Sequence, residues 1–233
     1  LYRSNHQSRL LEQALRNLKI PYTLSGGPSF FDKAEVRDIL AYLRLIANDA
    51  DDPAFIRAAT TPKRGIGQAT LQTLGQYAAA RGISLIAAAA ESGLASLLQA
   101  KQLEPLCTFA EFIRGLQWRA GRGAEPGQNV TSAQPAGALL DELLHAIQYQ
   151  RYLYDTLDER PAQARWENVC ELVNWLKRKA EEDNMTLFEL VQHVTLVTML
   201  ERDQEEEPDA VKLSTLHASK GLEYPHVYLA GVE

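Results

Sequence analysis

Two short segments have residue types and spacings suited to chemistry. The first is Thr61-Pro62-Lys63-Arg64-Gly65-Ile66-Gly67, followed closely by Ala69-Thr70-Leu71. Glycines at 65 and 67 allow positive φ and close approach, so backbone N–H groups there can point at a phosphate. A helix starting just after Gly67 would add the positive end of its dipole, and Lys63 and Arg64 would add full charges. Such a device grips phosphate backbone and reads no base edges. The plainer alternative is an ordinary helical hairpin with glycine turns.

The second segment is Leu213-Ser214-Thr215-Leu216-His217-Ala218-Ser219-Lys220-Gly221-Leu222-Glu223. A strand ends there in a loop of small, hydroxyl-bearing and charged residues, the place where α/β proteins put ligands. It is not a Walker A loop, because Lys220 precedes its glycine and Gly-Lys-Ser/Thr occurs nowhere in the chain. On chemistry alone, His217 and Lys220 can equally be solvated loop residues.

The elements that must position these segments follow from hydrophobic period. Ser8 is placed to cap a helix carrying Leu11, Ala14, Leu15 and Leu18, and Pro21-Tyr22-Thr23-Leu24 reads as a short strand. Asp32 and Glu35 form an expected N-cap pair before a helix with Val36, Ile39, Leu40, Leu43 and Ile46 on one face. Pro53 opens another through Phe55 and Ile56, which Thr60-Thr61-Pro62 closes. Helical stripes continue with Leu71, Leu74 and Ala78, then Leu106 and Ile113, Leu139 and Leu143, and Val169 and Leu176. Thr186 with Glu189 forms a capping box before Leu187, Leu190, Val191 and Val194. Val211, Leu213 and Thr215 then alternate as a strand, and residues 227–229 predict a second, buried one. Strands at both ends with helices between predict a helical domain inserted into an α/β domain. Residues 119–137, rich in Gly and Pro, predict a surface loop; residues 201–209 read as a solvated acidic linker rather than a metal site.

Composition sets bounds on function. The chain has 233 residues, 45% hydrophobic and 23% charged, the balance of a soluble globular protein. No apolar run approaches membrane-spanning length, and nothing resembles a signal peptide, so a cytoplasmic protein without membrane partners is expected. Cys107 and Cys170 are too few for a disulfide framework or zinc cluster, and the sequons at Asn129 and Asn184 read as chance matches. A net charge of −6 argues against nucleic acid until it is divided. Residues 1–90 hold 11 basic against 7 acidic side chains, whereas residues 91–233 hold 13 against 23. A phosphate-binding surface is therefore expected in the first part. Both ends read like interrupted strands, as though the chain were a piece of a longer protein.

Thr215-Leu216-His217-Ala218-Ser219-Lys220-Gly221-Leu222-Glu223 closely resembles motif V of the superfamily-one DNA helicases of the UvrD, Rep and PcrA group, the Rep type above all. Leu1-Tyr2-Arg3-Ser4-Asn5-His6-Gln7-Ser8-Arg9 resembles the group's motif IVa. Pro21-Tyr22 through Asp38-Ile39-Leu40-Ala41-Tyr42-Leu43-Arg44 resembles the segment after it, and the hairpin of residues 62–67 resembles its duplex-binding element. Tyr224 departs from the usual Phe, and the loop at 119–137 is longer than usual.

The resemblance implies a mainly α fold: a helical 2B insertion containing a helix-hairpin-helix, flanked by short α/β segments of a RecA-like 2A domain. Residues 1–27 and 210–233 would belong to 2A and residues 28–209 to 2B. It further implies 3′-to-5′ movement on single-stranded DNA and duplex unwinding, driven by ATP and Mg²⁺ in the full-length enzyme, with replication or repair proteins as partners. Glu223 would bond the ATP ribose, and Arg3, Asn5, Arg9, Thr215 and His217 would face single-stranded DNA. Lys63, Arg64, Gly65, Ile66 and Gly67 would hold duplex DNA. Walker A, Walker B and the arginine-bearing motifs are missing from these residues, so the chain alone is expected to bind no cofactor and hydrolyse no ATP. The alternatives are a RecB- or AddA-type helicase–nuclease subunit and a motor-less helix-hairpin-helix DNA-binding module.

Overall fold

The computed structural model describes residues 1–4, 7–25, 30–121, 134–202 and 209–231. Asn5, most of the 119–137 loop and residues 203–208 of the acidic linker lie outside them. The chain is mainly helical and divides into two compact units: Leu1–Lys33 with Val194–Glu233, and Ala34–His193.

The first unit holds α1 (Ser8–Asn17), β1 (Tyr22–Ser25) and β2 (Val211–Ser214). β1 and β2 pair in parallel, Tyr22 opposite Val211 and Ser25 opposite Ser214. The ladder continues on the far side of β2. Tyr2 N–H donates to Ser214 O (3.1 Å), Leu216 N–H donates to Tyr2 O (2.9 Å), and Tyr2 bridges Thr215 in parallel. Beyond it, Leu1 N donates to Tyr228 O (2.6 Å) and Ala230 N–H to Leu1 O (2.9 Å). Segments 22–25, 211–215, 1–2 and 228–230 are thus hydrogen-bonded in that order.

The predicted burial of residues 227–229 is corrected here. That segment hydrogen-bonds to Leu1, and Val227, Tyr228 and Leu229 are each more than half exposed, at 57%, 84% and 51%. A parallel strand is buried when layers cover both its faces, and none of the described residues does so here. Tyr2, Tyr22 and Leu213 form the core, with Leu11, Leu15 and Leu24 packed against it. Ser8 does not cap α1. Gln7 stands at the cap position, and Ser8 Oγ instead donates to the buried carboxylate of Glu12 at 2.8 Å. Arg16 Nε donates to Tyr22 Oη at 2.7 Å, which ties α1 to β1.

The second unit is built on α2 (Ala34–Ala47), whose Val36, Ile39, Tyr42, Leu43, Leu45 and Ile46 are almost wholly enclosed. It packs against α3 (Asp52–Thr60), α6 (Ala100–Arg119) and α9 (Glu159–Glu182). The remaining helices are α4 (Gln68–Arg81), α5 (Leu85–Ala89), α7 (Ala136–Ile147), α8 (Tyr149–Thr156) and α10 (Leu187–Arg202); the boundary between units falls within α10. The Thr186–Glu189 capping box forms as expected: Thr186 N donates to Glu189 Oε2 (2.8 Å) and Glu189 N to Thr186 Oγ1 (3.3 Å).

Other local expectations yield to tertiary partners. Asp32 lies in a 3₁₀ turn and Glu35 is buried inside α2, where it accepts from Asn168 Nδ2 and lies 3.8 Å from Arg165. Arg119, read as loop, closes α6 and pairs with Glu142. Asp38, also buried, accepts from Arg57 Nε at 2.7 Å and from Tyr149 Oη at 2.6 Å, so its charge is compensated.

Candidate nucleic-acid interface

The connection between α3 and α4 starts from a well-fixed helix. Asp51 caps α3, its Oδ1 accepting from Ala54 N at 3.0 Å, and Arg44 holds the same carboxylate at 2.7 Å. Pro53 occupies the first turn of α3, where no intrahelical N–H is missed. Beyond Thr60 the chain turns through residues 61–67. Pro62 and Ile66 are buried, whereas Lys63, Gly65 and Gly67 face solvent. Two apolar anchors therefore hold the turn down while the residues between them stay open.

The two glycines serve different ends. Gly65 has φ of +79°, in the left-handed region that side chains disfavour. Gly67 is in extended conformation, with φ of −88° and ψ of 170°, and stands at the cap of α4. Its carbonyl accepts from Leu71 N at 3.1 Å, but no side chain caps this 14-residue helix. The first-turn N–H groups of α4 thus open beside the bare glycine backbone, with the dipole's positive end behind them. Lys63 is exposed and has no ion-pair partner among the described residues.

Arg64 points the other way. Its Nη1 donates to the carbonyls of Ala58 and Pro62, each at 2.8 Å, and its Nη2 to Tyr42 Oη. Its guanidinium also lies over the rings of Phe109 (5.2 Å) and Tyr42 (5.5 Å). Burial pushes the Tyr42 hydroxyl well above the usual phenol range, and the Arg64 charge offsets part of that. Tyr42 and Phe109 were missed by sequence reasoning; their only signal was an aromatic residue on a helix bound for the core.

In the first unit the parallel ladder aligns two chain segments at one sheet edge. Arg3 follows Tyr2, and His217 follows Thr215, so both leave the C-terminal ends of adjacent strands. Thr215 folds the loop behind it: Ala218 N donates to its Oγ1 at 3.1 Å and Ser219 N to its carbonyl at 3.0 Å. Gly221, with φ of +89°, ends that turn. Arg3, His217, Lys220 and Glu223 are exposed, while Arg9 is half-buried with its guanidinium 6.0 Å from the Phe30 ring centre. Among the described residues no three carboxylate, imidazole or thiol groups gather as metal ligands.

All 233 residues match one protein family, described as the UvrD-like helicase C-terminal domain. The chain belongs to that family. It is 43% identical over its whole length to the ATP-dependent DNA helicase Rep of Salmonella typhimurium, of which it covers 34%. Identity to the ATP-dependent DNA helicase PcrA of Bacillus subtilis is 34%, and to DNA helicase II of Escherichia coli 36%, each covered to 31%. The chain therefore spans about a third of the length of these relatives. Residues 215–223 form the strand-end loop just described, and the Gly-Ile-Gly turn lies in the other compact unit.

Proposed function

We propose that this chain is the DNA-handling part of a 3′-to-5′ ATP-dependent DNA helicase. The observation that carries the reading is the exposed Gly65–Gly67 backbone at the uncapped start of α4, in a chain 43% identical to a helicase named Rep. Residues 28–209 act as the 2B insertion, with the α3–turn–α4 segment as its helix-hairpin-helix. Open backbone amides, Gly65, Gly67 and Lys63 take duplex phosphates there. Ile66 anchors the hairpin from beneath.

Residues 1–27 and 210–233 belong to the RecA-like 2A domain. Arg3, Asn5, Arg9, Thr215 and His217 face single-stranded DNA. Supporting this is the parallel ladder, which places Arg3 and His217 at one strand-end edge. Glu223, an exposed carboxylate with no hydrogen-bond partner among the described residues, suits acceptance from ATP ribose hydroxyls. Phosphates and Mg²⁺ require groups from elsewhere in the full-length protein.

The test is unwinding by the full-length protein on duplexes with a 3′ or a 5′ single-stranded tail. ATP-dependent unwinding of the 3′-tailed substrate alone is expected. Unwinding confined to the 5′-tailed one, or none with ATP present, would overturn the proposal.

A further inference from the structure

The helical unit contains a device that the DNA-binding reading does not use. Residue 64 carries a full charge in the exposed turn, yet its guanidinium is folded inward. Three of its bonds end on Ala58 O, Pro62 O and Tyr42 Oη, and two aromatic rings cover it. Tyr42 Oη also lies 2.9 Å from Ala58 O and 2.6 Å from Thr61 O. One carbonyl of the last turn of α3, Ala58, and two of the turn, Thr61 and Pro62, are thus gathered on two side chains, one from α2 and one from the turn itself. These carbonyls otherwise lack helical partners, because the helix ends there.

We propose that Arg64 and Tyr42 form a lock that positions the 61–67 turn, and that Arg64 is a positioning residue rather than a phosphate ligand. This rests on the reading that the turn meets duplex DNA. A guanidinium offers donors in a planar fork, which suits it to several carbonyls at once; an ammonium keeps the charge but not the fork. Beside the guanidinium lies an open pocket of about 430 Å³ lined by Pro105, Phe109, Phe112 and Ile147. Once its bonds are lost, the side chain has room to leave, and the turn samples other conformations.

The consequence is quantitative. A turn that is only partly in its binding conformation binds more weakly in proportion to that fraction, through the same phosphates. Affinity falls while its salt dependence stays the same. Loss of a phosphate-binding cation instead flattens the slope of log affinity against log salt by about 0.9.

The experiment is titration of the 233-residue chain onto a blunt DNA duplex by fluorescence anisotropy at several salt concentrations. Melting curves for each variant fix a working temperature below its midpoint. Tyr42→Phe and Arg64→Lys should each weaken binding about two- to tenfold with an unchanged slope, the scale of one lost hydrogen bond. The double variant should be no weaker than the worse single one, because both break the same lock. Lys63→Gln should weaken binding and flatten the slope. Wild-type affinity in Arg64→Lys, together with a flattened slope in Arg64→Gln, would make Arg64 a phosphate ligand and overturn the lock. So would Tyr42→Phe at wild-type affinity while Lys63→Gln responds as expected. No response from Lys63→Gln overturns the duplex-binding reading itself, and the lock with it. Should Arg64→Lys fail to melt cooperatively, Tyr42→Phe decides alone, since it removes one oxygen and leaves the ring in place.

Discussion

Alanine at Gly65 and alanine at Gly67 meet different obstacles. A Cβ at either position has open space around it, so neither clashes within the chain. Gly65 at φ +79° would nonetheless cost about 1–2 kcal/mol in the left-handed region. At Gly67 the lost cap preference is offset by reduced freedom of the unfolded chain, leaving a net change within about 0.5 kcal/mol. Thermal melting should therefore rank Gly65→Ala clearly below Gly67→Ala, and equal midpoints would contradict the left-handed assignment. On the proposed duplex contact both methyl groups stand where a phosphate would approach, so both variants should bind duplex DNA more weakly. In the full-length protein, ATPase stimulated by single-stranded DNA should persist in both. Equal loss of that ATPase and of duplex binding in a folded variant would place the turn in the motor.

At the scale of elements, α6 brings one aromatic side chain into several contacts at once. Phe109 is enclosed and meets Phe55 edge-on at 5.5 Å and Tyr42 at 6.4 Å, besides lying under Arg64. Phe109→Ala should lower stability by about 3–5 kcal/mol, read from chemical denaturation. A loss under about 1 kcal/mol would mean the core closes around the gap. The α9–α10 corner carries a pH signature. Burial lowers the proton affinity of His193 below the ordinary histidine value near 6.5, Lys179 adds to the shift, and Asp183 opposes it. The unfolded chain then takes up its proton at higher pH than the folded one. Stability is full above about pH 6.5 and declines below it, levelling off beneath the folded value. His193→Gln should flatten the melting temperature between pH 7.5 and 5.5 relative to the parent chain, and an unaltered profile would assign that decline to other groups.

For the molecule as a whole, net charge and local charge pull apart. A chain of −6 net charge whose proposed DNA contact is one turn should bind duplex weakly, with log affinity falling against log salt at roughly −2 to −4. A strong preference for one base sequence would contradict a backbone-gripping turn. The chain alone should show no DNA-stimulated ATPase, because phosphoryl transfer needs a phosphate loop, Mg²⁺ and charge-stabilising arginines together. Turnover by a pure preparation that survives Glu223→Ala would contradict this.

Periodicity and caps were enough to find most long helices, because a 3.6-residue stripe or a capping box such as Thr186–Glu189 is a local property. The glycine turn and the strand-end loop were legible for the same reason, since local backbone demands leave a mark on residue type. Partnership left no such mark. Glu35 read as part of a helix cap and nothing local marked Asp38, yet both are buried, with Asn168 and Tyr149 arriving from far along the chain to satisfy them. Residues 227–229 have the composition of a buried strand, but burial depends on neighbouring layers, and among the described residues they stay more than half exposed. Arg64 shows the difference most directly. Its charge and its place beside Gly65 suggested phosphate, while the direction of its side chain was set by Tyr42, twenty-two positions earlier, whose hydroxyl is buried among carbonyls that need donors.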